Sequence, residues 1–518
     1  MPKEILIEDK TGDPTLNLAL DTIKIGKQAL IFANTKNSAE KTAEDISKKI
    51  TKPTEELEKL SEEILHVLAK PTKQCERLAY CIKKGIAFHH AGLTHKQKEL
   101  IEDNFRKGAI KIICCTPTLA YGVDLPAFRA IMKDLRRYGH HGLAWIPTLE
   151  YLQMAGRAGR PKFDKYGEAI AVASTKETKK EILERYVKGE PEEIFSKLAV
   201  EPVLRTYVLS LIAAGFVKSE NEMIDFFSKT FWAYQYQDMS KLSNIVRKML
   251  NLLEEYGFVI SSEQEEFQSA AEMYNKKYKP TLIGKRVAEL YIDPLTAHSL
   301  TESIEKATKK KINEFSFLQV ISHTLEIRPL LRVRVKEYDL IQEETLKQSD
   351  YLLEPEPPMY DPEYDDYLAS IKTAMFFKDW VNEKDEEYLL ETYNVRPGEI
   401  RVKLDLADWL LYCIEELTRM LEHKELIKEV IKLRLRLKHG TKEELLTLLK
   451  LEGIGRVRAR KMFNAGIKDI RDVKKAKYET IAQLLGEKIA ASVKEQVGQK
   501  VKVIPKGKRK GQTSIEKF

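Results

Sequence analysis

Cysteine is scarce. Only five occur, Cys75, Cys81, Cys114, Cys115 and Cys413, an odd number without a CxxC pair. That excludes a disulfide framework and a structural zinc site, and leaves reduced, partly buried thiols. No apolar run approaches the roughly 20 residues of a membrane span. The opening MPKEILIEDKTGDP has no apolar stretch followed by small cleavage residues, so neither a membrane nor a secretory destination is expected and the cytoplasm is the default. The Gly-Lys pairs at Gly26, Gly284 and Gly507 all lack a following hydroxyl. The chain therefore contains no G-x-x-x-x-G-K-[ST] phosphate-binding loop. Internal repeats are absent too.

What is present is length and charge. A chain of 518 residues exceeds one ordinary core, so several domains are expected. The 43% hydrophobic content is ordinary, whereas 32% charged residues is high. The net charge of +8 is concentrated in basic runs at Arg434 to Lys438, Arg456 to Lys461 and Lys506 to Lys510. Uneven positive charge suits a phosphate-tracking surface, although any single run also fits a solvated helix face.

The first 180 residues alternate buried strands with amphipathic helices. Strands are predicted at Gln28–Ala33, Ile86–His89, Ile110–Cys115 and Glu168–Ala173, with helices at Ser38–Ile50, capped by Ser38, and Thr94–Lys107. Continuous apolar strands separated by helices imply a parallel sheet covered on both faces. Beyond Lys176 the pattern is mainly helical. Residues 181–293 read as a small helical domain with a β-hairpin wing, and 294–439 as helices broken by the acidic, proline-rich EPEPPMYDPEYDDY at Glu354–Tyr367, expected to be an exposed loop. A further helical unit covers 440–500, and the polar 501–518 are expected to be disordered.

Two segments carry chemistry. In IICCTPTLAYGVDLP, Ile112 to Pro126, a buried strand runs into Thr116, Thr118, Gly122 and Asp124. These would stand at the sheet's carboxyl edge, where α/β folds bind ligands, although an ordinary polar loop fits equally. In YLQMAGRAGRP, Tyr151 to Pro161, Gln153, Arg157 and Arg160 are spaced to share one face of a helix, with Gly156 and Gly159 allowing close backbone approach. Two guanidinium groups on one face suit a triphosphate.

Together these segments resemble motifs V and VI in the second RecA-like domain of superfamily 2 helicases of the Ski2-like branch. ALIFANTKNSAEKTA at Ala29–Ala43 is similar to motif IV, and AFHHAGLTHKQKELIEDNFRKGAIKIICCT at Ala87–Thr116 to the block before motif V. The resemblance implies ATP and Mg²⁺ as cofactors. Gly122 and Asp124 would approach the nucleotide, Gln153 would order the attacking water, and Arg157 and Arg160 would contact the phosphates, with Arg160 the preferred finger. Asn34, Thr35 and Thr116 would face the phosphates of the translocated strand. With neither a phosphate-binding loop nor a DExH motif, the chain would bind Mg²⁺ and nucleotide mainly through a first RecA-like domain supplied from elsewhere. A naturally split enzyme is preferred here to a truncated piece.

Downstream the resemblance narrows to archaeal Ski2-like DNA helicases of the Hjm type. SKLAVEPVLRTYVLSLIAAG at Ser196–Gly215 and YKPTLIGKRVAELYIDPLTA at Tyr278–Ala297 look like that family's winged-helix domain. DLRRYGHHGLAWIPT at Asp134–Thr148 corresponds to its strand-splitting hairpin, where Tyr138, His140, His141 and Trp145 could wedge or stack; a plain structural loop fits equally. A metal reading of His89, His90, His140 and His141 is rejected, because no cysteine or acid sits at ligand spacing. PGEIRVKLDLADWLLYCIEEL at Pro397–Leu417 resembles the family's ratchet helix, with Trp409 stacking on a base and Arg401 on a phosphate. The family places that arginine one residue later, where this chain has Val402.

LEGIGRVRARKMFNAG, Leu451 to Gly466, reads as a helix-hairpin-helix. Gly453 and Gly455 would form a turn whose amides face a DNA phosphate, Arg456, Arg458 and Arg460 would add charge, and LGEK at Leu485–Lys488 would supply a second turn. QTSIEKF at the end fits Q-x-x-[ILM]-x-x-F, in which Gln512, Ile515 and Phe518 would engage a sliding clamp. The sequence thus predicts one subunit of a 3′-to-5′ DNA helicase acting on forked or recombination DNA. The alternatives are an RNA helicase of the same branch and a non-catalytic DNA- and clamp-binding protein.

Overall fold

The computed structural model describes residues 5–50, 54–139, 142–160, 164–198, 200–262 and 276–499. Its chain gathers into two compact units, one of residues 1–199, 227–239 and 386–403, the other of 200–226, 240–385 and 404–518.

The first unit is built on strands β1 (Ala29–Phe32), β2 (Ile86–His89), β3 (Ile112–Cys115), β4 (Arg129–Met132) and β7 (Glu168–Ala171). They form one parallel sheet in the order β2-β3-β1-β4-β7, with Ala29 registered between Ile112 and Arg129. Every residue of β1 to β4 is buried, as continuous apolar runs require when helices cover both faces. Arg129 is the charged exception, and its guanidinium is met by Asp21 at 2.7 Å and Glu168 at 2.7 Å. Cys75, Cys81, Cys114 and Cys115 are buried free thiols, and burial lifts the Cys81 thiol to about 12, far from reactivity.

Threonines start several helices of this unit. Thr35, Thr72 and Thr94 accept the backbone N–H of Ser38, Cys75 and Gln97, each contributing about 1 kcal/mol. The expected cap at Ser38 is therefore corrected: the helix is Lys36–Ser47 and Thr35 caps it. Between the two chemical segments lies a hairpin of β5 (Arg136–Gly139) and β6 (Gly142–Trp145), with Tyr138 opposite Leu143. His140 and His141 lie outside the described residues. Residues 386–403 pack here because Gly398 permits it. Its N–H donates to Gly92 O at 3.0 Å, and a Cβ would come within 2.2 Å of the Leu93 carbonyl oxygen.

The second unit is helical apart from the antiparallel wing of β8 (Val259–Ser262) and β9 (Lys277–Pro280). Helices Glu314–His323 and Tyr364–Val381 bury Phe315, Phe317, Tyr367, Phe376 and Phe377. The proline-rich segment is exposed at residues 355, 356 and 358–363, and is anchored at its two ends. Glu354 is held by His323 at 2.8 Å and Gln319 at 2.9 Å, and Tyr364–Tyr367 already belong to the helix. Helices Arg456–Asn464, Tyr478–Leu485 and Glu487–Gln496 close a separate small core of Leu448, Ile454, Met462, Val473, Ile481 and Val493.

Candidate nucleotide and nucleic-acid sites

The motif VI helix is shorter than its spacing implies. It runs Thr148–Ala155, and Gly156 ends it. Its start is pinned from outside. The Glu192 carboxylate accepts the N–H of Thr148 at 2.6 Å and of Leu149 at 3.2 Å, and the Thr148 bond foremost pulls its pKa down to about 2. Arg157 and Arg160 lie beyond the helix, so they do not share its face with Gln153, which is exposed on the last turn. The glycines are used for close approach. Gly159 has φ +96°, its N–H donates to Ala127 O at 2.6 Å, and a Cβ on Gly167 would fall 2.2 Å from Gly159 N.

The two arginines diverge. Arg157 lies on the motif V loop: Nε donates to Ala120 O at 3.1 Å, Nη2 to the same oxygen, and Nη1 stands 3.5 Å from Asp124 Oδ1. The Asp124 side chain is 95% exposed, and Gly122 is exposed beside it. Arg160 turns the other way. It donates to Asp164 Oδ2 at 2.7 Å and Gln28 Oε1 at 2.6 Å, while Lys27 meets the same carboxylate at 2.6 Å. The Asp164 side chain is buried, and the Arg160 hydrogen bond chiefly holds its pKa below the usual range. Gln28 precedes β1, so Arg160 sits at the amino end of that strand. The expectation that Gln153, Arg157 and Arg160 converge on one helical face is thus replaced by an exposed trio of Gly122, Asp124 and Arg157 and a structurally engaged Arg160.

A second site opens at the carboxyl ends of β1 and β3. A cavity of about 590 Å³ is lined by Asn34, Thr35, Lys36, Asn37, Ala91, Thr116, Pro117, Thr118, Tyr121, Arg137, Glu150 and Arg396. It brings together Asn34, Thr35 and Thr116. Asn34 Nδ2 donates to Arg136 O, and the Thr116 and Thr118 hydroxyls are 2.9 Å apart. Arg396, 280 positions after Thr116, carries no signal in the sequence. Buried Arg396 donates to Glu40 Oε1 at 3.0 Å and to Asn37 Oδ1, and His90 Nε2 reaches the same Glu40 oxygen at 3.0 Å. Burial opposes the charge on Glu40, yet the bonds from His90 and Arg396 hold its pKa down to about 2. Burial in turn lowers the pKa of His90, so at neutral pH the cations on Glu40 are Arg396 at 3.0 Å and Arg77 at 2.6 Å. His89 turns instead to Glu102 at 2.9 Å.

The remaining predicted contacts are spread over single elements. In the hairpin, Tyr138 is 84% exposed, whereas Trp145 lies under Arg136 at 4.1 Å and edge-on to Tyr186 at 6.0 Å. Trp145 is therefore packed against its own unit, whereas Tyr138 is not. Arg401 and Trp409 both lie on the helix Pro397–Met420, Arg401 exposed and Trp409 half-buried with its indole N–H donating to Leu290 O at 3.2 Å. In the helix-hairpin-helix, Gly453 has φ +77°, and no side chain caps the helix Arg456–Asn464 after Gly455. Its arginines divide. Arg458 is exposed and donates to Gly453 O at 2.7 Å. Arg456 stacks over Trp380 at 4.5 Å, and Arg460 binds Glu383 at 2.8 Å and Glu444 at 2.7 Å. The expected basic trio is corrected to one outward arginine and two that join helices. Gln512, Ile515 and Phe518 lie outside the described residues.

A parallel RecA-like sheet with a glycine-arginine loop after motif VI, a polar groove at its carboxyl edge and a helix-hairpin-helix farther on define a helicase-type chain. Three family descriptions match: Helicase conserved C-terminal domain over residues 14–162, Archaeal helicase, domain 4 over 315–440, and SAM-like Helix-hairpin-helix tandem over 445–498. The chain is 38% identical over 498 residues to the ATP-dependent DNA helicase Hel308 of Pyrococcus horikoshii, covering 95% of this chain and 67% of that protein. It is 37% identical over 502 residues to the Hel308 of Methanocella arvoryzae, covering 95% and 66%, and 38% over 521 residues to that of Methanococcus vannielii, covering 93% and 67%. It belongs to the Hel308 family of archaeal DNA helicases, and spans about two thirds of the length of these relatives.

Proposed function

We propose that this chain supplies one wall of the ATP site and the DNA-gripping surfaces of an ATP-dependent 3′-to-5′ DNA helicase of the Hjm type, acting on forked or recombination DNA. The observation that carries the reading is the placement of Arg157 on the motif V loop beside exposed Gly122 and Asp124. A cationic fork beside open backbone and a carboxylate fits one side of a Mg²⁺-bound triphosphate. Bound there, ATP would supply the free energy that opens and closes the motor. The chain's own contribution is charge and position. Arg157 holds phosphate oxygens, Gln153 orients water, and Arg160 joins them by exchanging Asp164 for phosphate. The phosphate-binding loop and DExH acids belong to a first RecA-like domain that must meet this wall.

Asn34, Thr35 and Thr116 bind the phosphates of the tracking strand. Exposed Tyr138 at the hairpin parts the duplex, Arg401 and Trp409 hold the strand along their helix, and Gly453, Gly455 and Arg458 grip duplex phosphates without reading sequence. The terminal QTSIEKF would tether the motor to a sliding clamp. The test is reconstitution with a RecA-like domain carrying the phosphate-binding loop. DNA-stimulated ATP hydrolysis and unwinding of a DNA fork in preference to an RNA fork are expected. Equal or better unwinding of RNA would favour the RNA-helicase alternative, and the absence of hydrolysis with any such domain would favour a non-catalytic DNA-binding role.

A further inference from the structure

Each cation lining the groove at the carboxyl edge of the sheet is already engaged by a carboxylate. Lys36 Nζ meets Glu399 Oε1, Arg137 Nη1 meets Glu150 Oε1 at 2.9 Å, and Arg396 Nε meets Glu40 Oε1 at 3.0 Å. The three pairs differ in burial. Arg396 and Glu40 expose 9% and 2% of their side chains and form a fixed floor. Lys36 and Glu399 expose 33% and 27%, and Arg137 is 48% exposed above a nearly buried Glu150. The last two cations therefore stand within reach of solvent and strand while their acids stay anchored. Glu150 is fixed on the first turn of the motif VI helix, and Glu399 by the N–H of Arg396 at 3.1 Å.

We infer that Glu150 and Glu399 are built-in competitors for the strand's phosphates, so that the groove binds by exchanging carboxylate for phosphate and keeps its grip weak enough to release the strand at each step. This rests on the groove being the tracking-strand site. The physical reason is electrostatic. An unpaired arginine meeting a phosphate releases a counterion from the nucleic acid, at about 0.7 units of salt slope per phosphate on a single strand. A cation that must first leave a carboxylate exposes a negative charge that takes a counterion back, so the net release and the affinity both fall. The neutral amide and hydroxyl donors at Asn34, Thr35 and Thr116 keep the backbone in register without adding charge.

The test is fluorescence anisotropy of the full chain with labelled oligothymidylate, titrated over roughly 50 to 200 mM salt. Glu150→Gln and Glu399→Gln should each tighten binding about two- to fivefold at the low-salt end and steepen the slope by about 0.7. In the Arg137→Gln background, Glu150→Gln should change neither quantity, which separates the pair from a general loss of negative charge. Thr116→Val serves as the control on the underlying reading. If it leaves affinity unchanged, the groove is not the strand site and both fall. If it weakens binding while Glu150→Gln and Glu399→Gln leave affinity and slope as they were, or act equally without Arg137, the exchange is refuted and the groove assignment stands.

Discussion

The RecA-like sheet and the helix-hairpin-helix tandem each carry arginines a few residues apart on a glycine-rich turn, and they divide them alike. Arg157 and Arg458 sit near the surface on backbone carbonyls, each within its own turn or the loop beside it. Arg160 and Arg460 fold back onto carboxylates, Asp164 and Glu383. Counting charges in a motif therefore overstates how many face the ligand. What decides is whether the fold places a sheltered acid within reach: the Asp124 side chain, 3.5 Å from Arg157, is 95% exposed, whereas those of Asp164 and Glu383 are 1% and 19% exposed.

The comparison can be broken by removing charges in order of their burial. Glu40→Gln should cost the most, about 3 kcal/mol at neutral pH, because it takes from buried Arg396 its 3.0 Å counter-charge, leaving Glu399 at 4.0 Å, and takes from Arg77 a partner at 2.6 Å. Glu40 has a folded pKa depressed to about 2, so its contribution is complete above the unfolded value of about 4.5 and is lost as pH falls from there toward 2. Urea melts of the two proteins should converge over that acid window, and a constant gap would count against the pair. Arg160→Ala should follow, at about 2 kcal/mol, since Asp164 loses its bond to Arg160 and is left with Lys27 at 2.6 Å among the described residues. Arg460→Ala should cost about 1 to 2 kcal/mol through Glu383, whose carboxylate resists its own burial by bonding Arg460 and the Lys442 N–H. Arg458→Ala should leave the melting midpoint in place and weaken duplex binding about two- to fivefold, lowering the salt slope by about 0.9. If Arg458→Ala destabilises as much as Arg460→Ala, the two regions do not divide their arginines as described.

Local sequence was a good guide where local physics decides. The strand at Ile86–His89 was legible to the residue, because a continuous apolar run flanked by turns has few other solutions. The helix Thr94–Lys107 was legible from its amphipathic spacing, and the structure makes Thr94 its cap, the helix itself running His95–Arg106. The motif VI helix was misread because spacing by 3.6 residues was followed through Gly156 and Gly159, where the chain leaves the helix to pair Gly159 with Ala127. Arg396 was invisible for a different reason. Its partner Glu40 lies 356 residues away, and only Gly398 against the Leu93 carbonyl hints at a close approach there. The division of Arg456, Arg458 and Arg460 depends likewise on Trp380, Glu383 and Glu444, none of them within the motif.

The central claim is that the Arg157 loop is one wall of an ATP site. It is tested most directly by DNA-stimulated ATP hydrolysis of the assembled motor, comparing wild type with Arg157→Ala. The account predicts a loss of about a thousandfold or more with oligonucleotide affinity and melting midpoint unchanged. Hydrolysis within tenfold of wild type would contradict it.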